Sequence, residues 1–374
     1  MRRLLPLLLL ILVPAPSAAL ADGCPPSTCG TTSSAVPGWH TLFVRPSGQH
    51  GPLQAFDLES DARRFSLPSG VLSADGRTFV SSARAKWPRT TVARFHAPTG
   101  KLQRASSVSG RWQVVGVSAD GSRYVLSRHR RNKTELRVSE SRYSLRGNYE
   151  VEALSPDGRR LFLVHWRNRG YALQQLDLDT RRLSPTRLSE PDEKMSGTAT
   201  SAVATRDGRW LLTLYVKPGG ESFIHALDLR SGIAHCVDLP LKGDYSTVWA
   251  TALTLSPDER RLYLASPLLG RVTTVDMSTL EVAGSARFRP VNAMNYTFGI
   301  GPSAAVSPNG RMLAFVTARG LWLVDTAYGV IRGPKPLRTY VLGVGFTPDG
   351  RKAVAVTAPG GRVVFDAATG KRVR

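Results

Sequence analysis

The sequence lacks the short signatures of the common hydrolases and nucleotide enzymes. It holds no G-x-S-x-G elbow, no H-E-x-x-H metal motif and no G-x-x-x-x-G-K-[ST] phosphate loop. The seven histidines (His40, His50, His96, His129, His165, His225 and His235) form no spacing that would hold a metal. Local motifs therefore point to no catalytic residue, no metal and no cofactor. Cysteine is scarce, with three in 374 residues. Cys24 and Cys29 share a short Pro/Gly-containing loop, where a small local disulfide is expected. Cys236 is left as a single thiol on an apparent strand. Acidic residues are also few, 28 against 50 Lys and Arg, for a net charge of +22. A surplus of that size raises the local concentration of anions around the protein.

The N-terminus reads as an export signal. Arg2 and Arg3 precede an apolar run at 4–13, and Ala19-Leu20-Ala21 is a small-x-small cleavage site. Residues 1–21 are expected to be removed, leaving a secreted or envelope protein whose cysteines meet oxidising conditions. The rival, a lipoprotein anchored at Cys24, fits poorly because Asp22 lies in what would be the lipid-attachment box. No later segment is apolar enough over sufficient length to cross a bilayer. Residues 22–39 form an N-terminal segment, and 40–374 form the folded unit.

What the sequence has in abundance is a repeated turn. Ser73-Ala74-Asp75-Gly76-Arg77 returns as Ser118-Ala119-Asp120-Gly121-Ser122 and Ser155-Pro156-Asp157-Gly158-Arg159. It returns again around Asp207, Asp258, Asn309 and Asp349. From Asp75 to Asp349 is 274 residues in six steps, roughly 46 per repeat, a period that marks propellers and solenoids. The Asp or Asn side chain bonds back to the local backbone, and Gly accepts the positive φ that closes the turn. These seven acidic or amide residues therefore read as turn caps and not as paired catalytic carboxylates. Short apolar runs flank each turn, at 114–117, 161–164, 210–214, 262–265 and 312–316 among others, and a third run recurs further on. Three or four short strands per unit, without an amphipathic helix, predict an all-β propeller of seven blades, with eight possible. Strand candidates at 41–44, 53–58 and 63–67 suggest that an N-terminal strand closes the ring. A β-solenoid is the rival architecture.

The Ser-Pro-Asp-Gly-Arg phrase followed by an apolar strand resembles the repeat of TolB-like and WD-repeat-like bacterial propellers. The resemblance covers essentially the whole mature chain and implies an envelope or extracellular binding protein. Lactonase-like propellers and the propeller domains of prolyl oligopeptidases share such repeats, and they define the enzymatic alternative.

Charge can be sorted by face. The loop after each second strand lies opposite the Asp-Gly turn. Those loops carry Arg84, Lys86 and Arg89, then Arg128, Arg130 and Arg131, then Arg167 and Arg169. Trp87 and Trp166 lie among them, and Trp112, Tyr149, Trp249 and Tyr340 enter innermost strands on the same side. Arginine beside aromatic planes can grip anionic groups. The bland alternative is that the charge only keeps the protein soluble and the aromatics only pack between blades. The expectation is a monomeric, non-catalytic scaffold presenting a basic, aromatic-studded face to a protein partner or an anionic envelope polymer. Nothing points to a nucleic-acid module. The alternative is a hydrolase or lactonase-like enzyme with its site at the channel mouth.

Overall fold

The computed structural model of the protein describes residues 33–35, 40–45, 51–60, 62–84, 88–167, 170–189, 196–292, 302–317, 319–358 and 360–373. The strands form eight antiparallel sheets arranged as the blades of a propeller. Each four-stranded sheet runs in chain order from an inner to an outer strand. Blade 3, for example, is Gln113–Val117, Tyr124–Arg130, Lys133–Val138 and Ser141–Arg146. Blade 4 follows with Asn148–Leu154, Arg160–Arg167, Gly170–Asp177 and Leu183–Pro185. Blade 5 runs from Thr198–Ala204 through Trp210–Val216 and Glu221–Asp228 to Ile233–Lys242. It also carries a parallel outer strand, Arg187–Leu188.

Eight blades replace the seven expected. The repeated turn occurs seven times, but the N-terminal stretch builds a sheet of its own. Ser33–Ala35, Thr41–Val44, Leu53–Asp57 and Arg63–Leu67 pair with one another as blade 1. The ring thus takes in residues upstream of 40. Among the described residues, no N-terminal strand joins the last blade, which consists of Val341–Phe346, Lys352–Thr357 and Gly361–Asp366. The chain ends meet through side chains instead. Leu42, Val44, Phe56 and Leu58 of blade 1 pack on Leu342, Val354 and Val356 of blade 8.

The core lies in the seams between blades, so the middle strands are covered on both sides. That is why they read as nearly unbroken apolar runs. Trp210–Val216 and Met312–Thr317 are buried almost throughout, whereas the outer strand Glu281–Arg287 is almost wholly exposed. Full burial of each Leu, Val or Phe contributes roughly 1.5–3 kcal/mol before entropy is counted.

The repeated turn has one construction. In blade 2, built of Gly70–Leu72, Thr78–Arg84, Arg89–His96 and Lys101–Ser109, the Ser73 hydroxyl donates to Asp75 Oδ1 (2.6 Å) and accepts the Thr78 N–H (2.9 Å), while Asp75 Oδ1 also accepts the Arg77 N–H (2.9 Å). Gly76 sits at φ 73°. The same hydroxyl hub recurs at Ser155–Asp157, Thr205–Asp207, Ser256–Asp258, Ser307–Asn309 and Thr347–Asp349. In blade 6, built of Ala252–Leu255, Arg261–Ser266, Arg271–Asp276 and Glu281–Arg287, the glycine is replaced by Glu259, which still takes φ 58°.

Candidate functional site

These turns, with those between third and outer strands, make one face of the ring, the turn face. The hairpins between second and third strands, with the connections between blades, make the other, the tip face. Most of the predicted basic residues stand on the tip face. Arg84, Arg89, Arg130, Arg131 and Arg167 are exposed there. Lys86, Trp87 and Arg169 lie outside the described residues, as do Cys24 and Cys29. Cys236 is half-buried on the outer strand Ile233–Lys242 of blade 5.

The tip-face cations fall into two groups. One group is occupied by the fold. Arg128 bonds Glu135 through Nε and stacks over Trp112 at 4.3 Å. Arg45 is 8% exposed, donates to the Gly70 carbonyl at 2.7 Å, and is lowered to about 10 by burial. Arg271 donates to the Pro240 carbonyl, Arg362 to the Glu59 carbonyl, and Arg319 stacks over Tyr340 at 4.9 Å. Arg89 donates to the Ser107 hydroxyl at 2.7 Å. The other group, Arg84, Arg130, Arg131 and Arg167, has no carboxylate partner among the described residues. Acids on this face gather on blade 5, where Glu221 lies 3.5 Å from Lys242 and Asp238 3.8 Å from Lys217. The positive rim is therefore densest over blades 2 to 4.

The predicted aromatics are mostly buried or half-buried. Trp112 is buried, and its backbone N–H donates to the Thr90 hydroxyl (3.0 Å), which donates on to the Gly110 carbonyl (2.7 Å). Tyr149 repeats the arrangement one blade later. Its N–H donates to Thr134 (2.9 Å), and Thr134 donates to the Gly147 carbonyl (2.9 Å). The Tyr149 ring stacks on His165 at 4.2 Å. Burial raises the Tyr149 hydroxyl and lowers His165. Trp166 packs edge-on to Tyr171 in the seam between blades 4 and 5. Trp249 is half-buried at the end of the one-turn helix Tyr245–Val248. Tyr340 alone of the predicted aromatics in the described residues is exposed, at 37%.

Sequence reasoning missed a buried polar seam. Thr213, His225 and Cys236 lie side by side across blade 5. His225 is fully buried, neither of its ring nitrogens has a hydrogen-bond partner, and Nε2 lies 3.9 Å from Glu152 Oε1 of blade 4. Tyr215 stacks on Phe223 at 5.4 Å and on Tyr171 at 5.8 Å beside them. Burial pushes Glu152 up to about 7 and His225 down to about 4. Desolvation disfavours the charged form of each group. Glu152 and His225 stand 73 positions apart in a chain without local motifs, so no spacing could have paired them. An acid and a histidine in proximity would favour the enzymatic alternative at a channel mouth. Here the histidine has no exposed surface for a substrate to reach.

No family model matches the chain, and no curated protein matches it. Solved structures do. The chain is similar to "Dihydro-heme d1 dehydrogenase NirN in complex with DHE", with a TM-score of 0.57 and 16% identity, over 94% of this chain and 76% of that one. It is also similar to the "Dos1 propeller", with a TM-score of 0.53 and 10% identity, over 91% and 94% of the two chains. At these identities the likeness concerns the fold alone. The chain is an all-β propeller of eight sheets, and a propeller by itself does not decide between binding and catalysis.

Proposed function

We propose that the protein is an exported, non-catalytic scaffold whose tip face holds an anionic polymer of the cell envelope, or a protein partner presenting acidic groups. The observation that carries this reading is the group of exposed arginines on blades 2 to 4 that have no carboxylate partner among the described residues. Trp112 and Tyr149 support that face from below and do not contact the ligand. Export rests on the N-terminal segment, and kinship with the TolB-like branch rests on the repeated turn; both belong to the proposal. The test is binding of the mature protein to fractionated envelope polymers over a salt series. Affinity should fall steeply as salt rises, because exposed charges are screened over about 10 Å at 0.1 M ionic strength. Salt-independent retention, or no retention of any anionic fraction, would sink the reading.

A further inference from the structure

The hairpin of blade 3 arranges like charges in a way the fold itself does not need. Arg130 pairs directly with Lys133, and Lys133 pairs directly with Arg146, so three cations stand in one cross-strand row. All three are exposed, as is Arg131 in the intervening turn at φ 47°. Like charges opposed across strands are destabilising. Two residues further along, on the same side of the sheet, Arg128 is opposed by Glu135 and bonded to it. The hairpin thus neutralises its inner row and leaves its terminal row unopposed. No acidic side chain bonds Arg130, Arg131, Lys133 or Arg146 among the described residues.

The row also has a shape. Neighbouring strands lie about 4.8 Å apart, so its backbone positions span roughly 10 Å in a line. No large apolar residue is exposed on blade 3. A protein partner would want an aromatic or apolar anchor, and membrane insertion would want an apolar face. Neither is present. We infer that the tip of blade 3 is a seat for a linear polyanion with phosphate-type groups, laid across the strands along Arg130, Lys133 and Arg146, with Arg131 beside it. Arginine binds such oxyanions through two N–H groups at once, and the ligand's charge relieves the repulsion along the row. The inference rests on the tip-face reading above and narrows it to one blade and one ligand chemistry.

Long-chain inorganic polyphosphate is the probe, titrated against the mature full chain. Three variants carry equal charge changes. The first is Arg130→Glu/Lys133→Glu/Arg146→Glu. The second is Arg84→Glu/Arg89→Glu/Arg167→Glu, elsewhere on the tip face. The third is Arg77→Glu/Arg260→Glu/Arg311→Glu, on the turn face. The first should weaken binding at least tenfold more than the second and flatten the salt dependence, and the third should change little. The first variant should also melt no lower than the parent, and Arg130→Gln/Lys133→Gln/Arg146→Gln repeats the test if it does. Equal losses in the first and second variants would overturn the blade 3 seat but leave the tip face standing. Equal losses in all three would overturn both readings, since net charge alone would then explain binding. Failure of the parent to bind polyphosphate, or tighter binding to anionic phospholipid vesicles through the same row, would overturn the linear-polymer seat.

Discussion

Arg209 on the turn face reaches Asp228 at 3.2 Å, while Arg130 at the tip of blade 3 faces Lys133 across its own hairpin. The contrast is general. On the turn face Arg230 reaches Asp207 at 3.0 Å, Arg206 reaches Glu259 at 3.1 Å and Arg159 lies 3.8 Å from Asp179. The acids there are also held by the turns. The Ser256 hydroxyl keeps Asp258, and the Thr347 hydroxyl keeps Asp349, below the usual carboxylate range. On the tips of blades 2 to 4 the same type of basic residue is left exposed and unopposed. Arginine stitches the turn face at these positions and leaves the tips of blades 2 to 4 charged, and a composition of 50 basic residues conceals that division.

Several substitutions would break or sharpen the contrast. The largest effect belongs to neither face but to the seam between blades 4 and 5. The raised Glu152 contributes stability that is complete below its usual 4.5 and lost as pH rises through about 7. The lowered His225 contributes stability that is complete above its usual 6.5 and lost as pH falls through about 4. Each swing is on the order of 3 kcal/mol, and in the parent they largely offset each other. Glu152→Gln should therefore lose stability as pH falls from about 6.5 to 4, and His225→Gln as pH rises from about 4.5 to 7. Chemical denaturation across pH reads this directly. Variants that track the parent would mean the pair does not titrate as described.

Next comes the turn face. Ser155→Ala removes a hub that donates to Asp157 and accepts the Arg160 N–H, and it should cost about 2 kcal/mol in denaturant melts. A loss near zero would make the hub decorative. On the tip face the structural layer beneath the charges should respond somewhat less. Thr134→Val strands the Tyr149 N–H and the Gly147 carbonyl, for about 1–2 kcal/mol. The smallest effect is expected for Arg130→Ala, within about 0.5 kcal/mol of the parent or slightly stabilising. A clear destabilisation there would show that the exposed row serves the fold, and the contrast between faces would collapse.

Much of the architecture was legible in the chain. The seven Asp-Gly-type turns announced short antiparallel strands, and the middle strands announced themselves as apolar runs. Blade 1 lacks the phrase, so its strand-rich stretch points to one strand closing the last blade and leaves an eighth blade only as the alternative. Register cannot be read from a strand whose partner is unknown, and that choice decided seven against eight. The basic loops were placed on the face opposite the Asp-Gly turns. What could not be read was which of their arginines the fold occupies. Arg128 and Arg130 are the same residue type two positions apart, yet one is bonded to Glu135 and the other is opposed by Lys133. Only the hairpin register separates them.

The sequence by itself determined the repeat, the turn chemistry and the strand-rich class, because those depend on residues within a few positions of one another. Tertiary structure alone decided the eighth blade, the packed closure of blade 8 on blade 1, and the Glu152–His225 seam. The closure and the seam join residues from different blades, and the eighth blade joins strands that carry no repeated phrase; in each case burial of the apolar strands brings the parts together. That burial is non-directional, so it leaves no local signature of which polar groups it will enclose.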